Sequence, residues 1–94
     1  MNFQKICVIG LGYIGLPTAS TFAAHGVNVL GVDINPHIIE TLNRGEIHIH
    51  EPGLKDAVAN AIASGNFKAA TQLEEAHAFI IAVPTQFQEN KFGE

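Results

Sequence analysis

Apolar residues follow one another along this chain in two alternating rhythms. KICVI, residues 5–9, is a short β-branched run that halts at Gly10, the pattern of a strand buried on both faces. The spacing then changes: Ile14, Leu16, Pro17, Ala19, Phe22, Ala23 and Ala24 recur at helical intervals until His25-Gly26, where glycine supplies a helix stop. Pro17 is tolerated there because it falls in the opening turn, whose amides have no intrahelical acceptor.

The alternation repeats. VNVLGV, residues 27–32, predicts a second buried strand ending at Asp33, and Asn35-Pro36 opens a helix that runs to about Asn43, before Gly45. After the polar link GEIHIHEPG, residues 54–63 put Leu54, Val58, Ala61 and Ile62 on one helical face and stop at Ser64-Gly65. Residues 67–71 read as a short strand, 72–76 as at most one helical turn, and 78–83 (AFIIAV) as a fourth strand closed by Pro84. Strands alternating with helices, with no hairpin signal between them, imply an α/β fold. It is a Rossmann-type, doubly wound parallel sheet, here its N-terminal half with strand order 3-2-1-4. The 94 residues are enough for one layered core, so residues 1–94 are expected to form one incomplete dinucleotide-binding domain. The polar tail, residues 86–94, reads as the start of a further connection.

Composition narrows the partners. Apolar residues make up 47% of the chain and charged ones 15%, a sparse charge that suggests surface normally covered by more protein. The net charge is -4, and Lys5, Arg44, Lys55, Lys68 and Lys91 are scattered. They form no patch suited to a phosphate backbone, so nucleic acid is excluded as a partner. MNFQKICVIG has one lysine and a short apolar run with no small-residue cleavage site, and no run reaches the length needed to cross a bilayer, so neither export nor a membrane is expected. Cys7 is the single cysteine, so no internal disulfide forms and a reducing, cytoplasmic setting fits.

The chemistry-bearing residues cluster near the first strand. Gly10, Gly12 and Gly15 spell GxGxxG, a weak signal alone because glycines are common in turns. Here the motif follows a buried strand, opens a helix, and is followed by an acid, Asp33, at the end of the second strand. Together these are the dinucleotide-binding fingerprint. Gly10 allows the tight turn, Gly12 lets the backbone approach a pyrophosphate, and Gly15 lets helix pack closely on strand. The helix N-terminal amides offer unpaired donors and partial positive charge to the phosphates, so no lysine is required.

Asp33 can accept both hydroxyls of the adenine ribose and would repel a 2′-phosphate, which favours NAD over NADP; the bland alternative is a helix cap before Asn35-Pro36. Tyr13 and Ile14 could flank the cofactor, although Ile14 could equally pack beneath the helix. Thr85 stands at the ligand-binding edge of the sheet, where its hydroxyl could reach the cofactor or serve turn chemistry. His48 and His50, with Glu51, are close enough to suggest a metal, but an extended HIH in a polar loop is expected to be solvated, and no metal site is assigned. Cys7, in mid-strand, reads as a small buried apolar residue.

KICVIGLGYIGLPTA, GVDIN, NRGEIHIHEPGL and AVPT occur in this order and spacing, and with them the chain resembles the N-terminus of the nucleotide-sugar (UDP-glucose/GDP-mannose) dehydrogenases. NRGEIHI leading into EPGL looks most like the branch of that family that oxidises UDP-N-acetylmannosamine, with the UDP-glucose branch next. The resemblance implies an NAD-dependent, two-step oxidation of a sugar C6 alcohol to a carboxylate, a step that feeds polysaccharide biosynthesis. It carries cofactor contacts onto Tyr13, Ile14, Asp33 and Thr85. It also implies that the family's catalytic cysteine and lysine, and most UDP-sugar contacts, lie beyond residue 94, so Cys7 is not the nucleophile and the chain is not catalytic alone. Gln86 departs from the pattern, which usually has a second proline there. Two other readings stay open: a non-catalytic dinucleotide-binding or interaction module, and the amino half of another NAD-dependent dehydrogenase. In a full doubly wound sheet strand four would pair with a fifth; here AFIIAV is expected to be an exposed edge, and copies are expected to self-associate through that edge or through the uncovered apolar face.

Overall fold

The computed structural model describes residues 5–82. In chain order the elements are β1 (Lys5–Ile9), α1 (Gly15–Ala24), β2 (Asn28–Val32), α2 (Pro36–Asn43), α3 (Leu54–Ser64), β3 (Phe67–Ala70) and β4 (Ala78–Ile81). All pairings are parallel and the strand order is β3-β2-β1-β4, the topology expected of the half-domain. Register places Cys7 between Leu30 and Phe79, and Val8 between Gly31 and Ile80.

Alternation along the strands separates two faces. Ile6, Val8, Val29, Phe67 and Ala69 form one core with Leu16, Ala19 and Ala23 of α1, Ile39 and Leu42 of α2, and Leu54, Val58 and Ala61 of α3. Small residues at Ala19 and Ala23 let α1 approach the sheet closely. Val8, Leu16, Leu42 and Val58 are fully buried, each contributing roughly 1.5–3 kcal/mol of apolar transfer. The opposite face carries a smaller cluster of Cys7, Leu30 and Val32, against which Ile9, Ala70 and Ala76 pack. There β4 is open: Phe79 and Ile81 are 50% and 69% exposed.

Helix ends explain where elements start and stop. Beyond α1, Gly26 has φ 86°, its N–H donates to Ala23 O, and the N–H of Val27 donates to Phe22 O. This pair of bonds is a Schellman close. It commits Val27 to the helix terminus, so β2 begins at Asn28 rather than at Val27 as the apolar pattern suggested. The same geometry closes α2, with Gly45 N–H on Leu42 O and Glu46 N–H on Thr41 O. Residues 72–76, expected to manage at most one turn, form no helix. They are held instead by Glu74, which bridges Lys5 at 2.7 Å and Lys68 at 3.8 Å, while His77 N–H donates to Lys5 O. β3 stops at Ala70, one residue short of expectation. β4 runs to Ile81, with Ala82 N–H still bonded to Ile9 O; the expected end at Val83 lies outside the described residues.

The two sheet edges differ. Along β3 the Asn43 side chain, at the end of α2, acts as a surrogate strand: Nδ2 donates to Ala69 O at 2.9 Å and Oδ1 accepts from Ala69 N–H at 3.1 Å. β4 has no such cover among the described residues.

Candidate cofactor site at the glycine loop

The carboxyl ends of β1 and β2 bring the fingerprint residues together. Gly10 turns the chain at φ 97°, in the left-handed region that glycine tolerates best, and its N–H donates to Val32 O at 2.8 Å. A Cβ on Gly15 would stand 1.6 Å from Gly10 O, so the first turn of α1 lies against the loop as only glycine permits. Gly12 is different in kind: a Cβ there would meet no protein atom within 4 Å. The protein itself does not require glycine at Gly12, whereas a molecule lying over that backbone would.

Leu16 N–H bonds to Gly12 O and Thr18 N–H to Ile14 O, which starts the helix, whereas the amides of Gly12, Tyr13 and Ile14 meet no acceptor among the described residues. These are the donors that a helix N-terminus leaves for an anion. Ile14, at the N-cap, makes no side-chain cap. Tyr13 and Ile14 are 65% and 66% exposed, so Ile14 does not pack beneath α1.

Asp33 faces the loop from the end of β2. Oδ2 accepts the Leu11 N–H at 3.0 Å, and Oδ1 accepts the Asn35 N–H at 3.1 Å. The cap of α2 is Asn35, whose side chain accepts from His37 N–H at 2.9 Å. Asp33 therefore orders the entry to α2 without capping it. Each carboxylate oxygen holds one protein donor and retains a lone pair, so a pair of ribose hydroxyls could still be accepted. Thr85 lies outside the described residues.

A family model for the UDP-glucose/GDP-mannose dehydrogenase NAD-binding domain matches residues 4–93. The chain belongs to this family. Its UDP-N-acetyl-D-mannosamine dehydrogenase relative from Campylobacter jejuni is 58% identical over 87 residues, 93% of this chain and 21% of the relative. The NDP-N-acetyl-D-galactosaminuronic acid dehydrogenase of Ralstonia nicotianae is 52% identical over 97% of this chain and 22% of its own length. Among solved structures, the UDP-N-acetyl-mannosamine dehydrogenase Cap5O from Staphylococcus aureus superposes with a TM-score of 0.84 at 53% identity, covering 86% of this chain and 20% of that one. The chain thus spans about a fifth of the length of these relatives. NAD is the cofactor of the domain that defines this family.

Three residues to which pattern reading gave no part in the glycine loop lie under or beside it. Gly31, in mid-β2, leaves room for Leu11: a Cβ there would meet Leu11 Cδ2 at 2.9 Å and Phe67 Cε1 at 2.8 Å. Ile34, next to Asp33, is 90% exposed, an apolar side chain held in solvent beside the loop. His48, expected in a solvated link, turns inward instead, with Nε2 2.7 Å from Leu11 O, while His50 stays exposed. A glycine inside an apolar strand run is the one signal that could have revealed the first, whereas the place of His48 depends on a contact between segments 37 residues apart. Among the described residues, no three His, Cys, Asp or Glu side chains gather as a metal set, and no helix is long and apolar enough to cross a membrane.

Proposed function

We propose that residues 1–94 form the NAD-binding part of a UDP-sugar 6-dehydrogenase of the UDP-N-acetylmannosamine type, unable to turn over alone. The observation that carries this reading is the convergence of the open Gly12 backbone, the acceptor-free amides of Gly12, Tyr13 and Ile14, and the Asp33 carboxylate at one edge of a parallel sheet. The amides of Gly12, Tyr13 and Ile14 would hold the cofactor's pyrophosphate, and Gly10 and Gly15 shape the turn that presents them. Asp33 takes the adenine ribose hydroxyls, and Ile34 gives the adenine an apolar wall. Tyr13 and Ile14 line the path of the cofactor, and the family resemblance adds Thr85 as a contact. Bound NAD supplies the hydride acceptor for oxidation of the sugar C6 alcohol, and the UDP-sugar is held by residues other than these. The resulting uronate donor serves polysaccharide biosynthesis in the cytoplasm, a setting consistent with a lone, buried Cys7.

Calorimetry tests the cofactor assignment. NADH is expected to bind more tightly than NADPH, and Asp33→Ala to weaken NADH and erase the preference; NADPH binding as well as NADH would overturn the role given to Asp33. We also propose that copies of the chain associate through β4, whose edge lacks the cover that Asn43 gives β3 and whose Phe79 and Ile81 are exposed. Light scattering should then show mass rising with concentration, and Phe79→Lys with Ile81→Lys should abolish the rise. A concentration-independent monomer refutes it.

A further inference from the structure

Leu11, between the first two glycines, is gripped at three points. Its side chain, 1% exposed, lies over Gly31, its N–H donates to Asp33 Oδ2 at 3.0 Å, and its carbonyl oxygen lies 2.7 Å from His48 Nε2. A carbonyl only accepts, so Nε2 is the donor and carries a hydrogen. The other ring nitrogen, Nδ1, is buried with no hydrogen-bond partner among the described residues. An unpartnered buried nitrogen is a cost to the fold, which suggests that the imidazole is held there for what Nε2 does.

Leu11 O belongs to the peptide group whose nitrogen is that of Gly12, the first of the acceptor-free amides. Fixing this oxygen fixes the plane of that peptide, and so the direction in which Gly12 N–H points. Asp33 alone leaves the plane free to tilt, since it holds only the preceding N–H. His48 stands 37 residues away in the α2–α3 link, so the link becomes a brace for the loop. We propose that His48 is a positioning residue for the cofactor: its Nε2–H locks the Leu11–Gly12 peptide with the Gly12 amide aimed at the pyrophosphate. This rests on the NAD-binding reading above.

The test compares His48→Leu, which keeps bulk without a donor, with His48→Gln, whose amide nitrogen reaches about as far as Nε2. On the 15N-labelled chain, the Gly12 amide resonance is expected to shift in His48→Leu and to stay near its original place in His48→Gln. NAD and ADP-ribose, which carry the pyrophosphate, should bind about 5- to 10-fold more weakly to His48→Leu, as loss of one neutral hydrogen bond implies, with His48→Gln restoring most of the affinity. Adenosine, which lacks the pyrophosphate, should be unaffected. Equal losses in both variants, or a shifted Gly12 resonance with unchanged NAD affinity, would overturn the proposal. The ring-nitrogen spectrum of the unmutated chain gives a readout that needs no variant: an Nδ1–H tautomer refutes the brace even if His48→Leu does not fold. If the unmutated chain binds no NAD, the cofactor reading fails, while the tautomer and the Gly12 resonance still judge whether His48 holds the loop.

Discussion

Gly12 and Gly15 belong to one motif, but the structure makes opposite predictions for replacing them with alanine. At Gly15 the new Cβ would sit 1.6 Å from Gly10 O, where real Cβ contacts essentially never fall below 3.0 Å. The helix start and the loop must therefore separate by about 1.4 Å, the difference between those distances, and the obstacle is backbone, which cannot rotate aside. Forcing extra atoms into a packed site costs roughly 1–3 kcal/mol and sometimes more. Against this, alanine gains up to about 1 kcal/mol over glycine within a helix. The expected net loss for Gly15→Ala is about 1–2 kcal/mol, which for a chain of this size lowers Tm by about 5–15 °C. At Gly12 the Cβ meets open space, so Gly12→Ala should leave stability within about 0.5 kcal/mol and abolish NAD binding through collision with the pyrophosphate. Thermal denaturation by circular dichroism, paired with calorimetric titration of NAD, separates the two. A Gly15→Ala chain as stable as the original would refute the packing reasoning; a Gly12→Ala chain that binds NAD normally would refute the ligand's position.

Other consequences follow from single contacts. Asn43→Ala strips both backbone groups of Ala69 of their partner and should cost about 1–2 kcal/mol in urea denaturation, with more association if the β3 edge is then available; no loss would mean that water replaces the side chain freely. Cys7 is fully buried, and burial pushes its thiol above the usual range. A disulfide reagent such as Ellman's should therefore react slowly with the native chain and rapidly in denaturant, and fast native labelling would show that the second sheet face opens. The Lys5 ammonium, by its hydrogen bond and its charge, holds the Glu74 carboxyl below the ordinary glutamate range, with Lys68 adding to the effect. A depressed carboxylate stabilises the fold above its unfolded value and loses that contribution as pH falls through its folded value. Glu74→Gln should thus lower stability slightly at neutral pH, by the small amount an exposed pair is worth, leave it unchanged at low pH, and so flatten the acid limb by that same amount; an unchanged acid limb counts against the Lys5–Glu74 contact.

The alternation of β-branched runs with 3.6-residue periodicity was enough to determine the elements and the seat of the glycine loop, because each is written in contiguous residues, and right-handed crossovers then left one order for the parallel sheet. Helix ends were legible for the same reason: Gly26 and Gly45 close α1 and α2 through bonds reaching only five residues back. What tertiary structure alone decided joins segments far apart in the chain. Asp33 meets Leu11 across 22 residues and His48 meets it across 37; Asn43 meets Ala69 across 26. No local period encodes such pairings, since they depend on where two separately formed elements come to rest. Hence HIH looked like a solvated polar loop, although one of its histidines faces inward. The link 72–76 read as a possible turn for the same cause: whether Glu74 extends to reach Lys5 depends on β1 lying beside β4, and only the assembled sheet brings that lysine near.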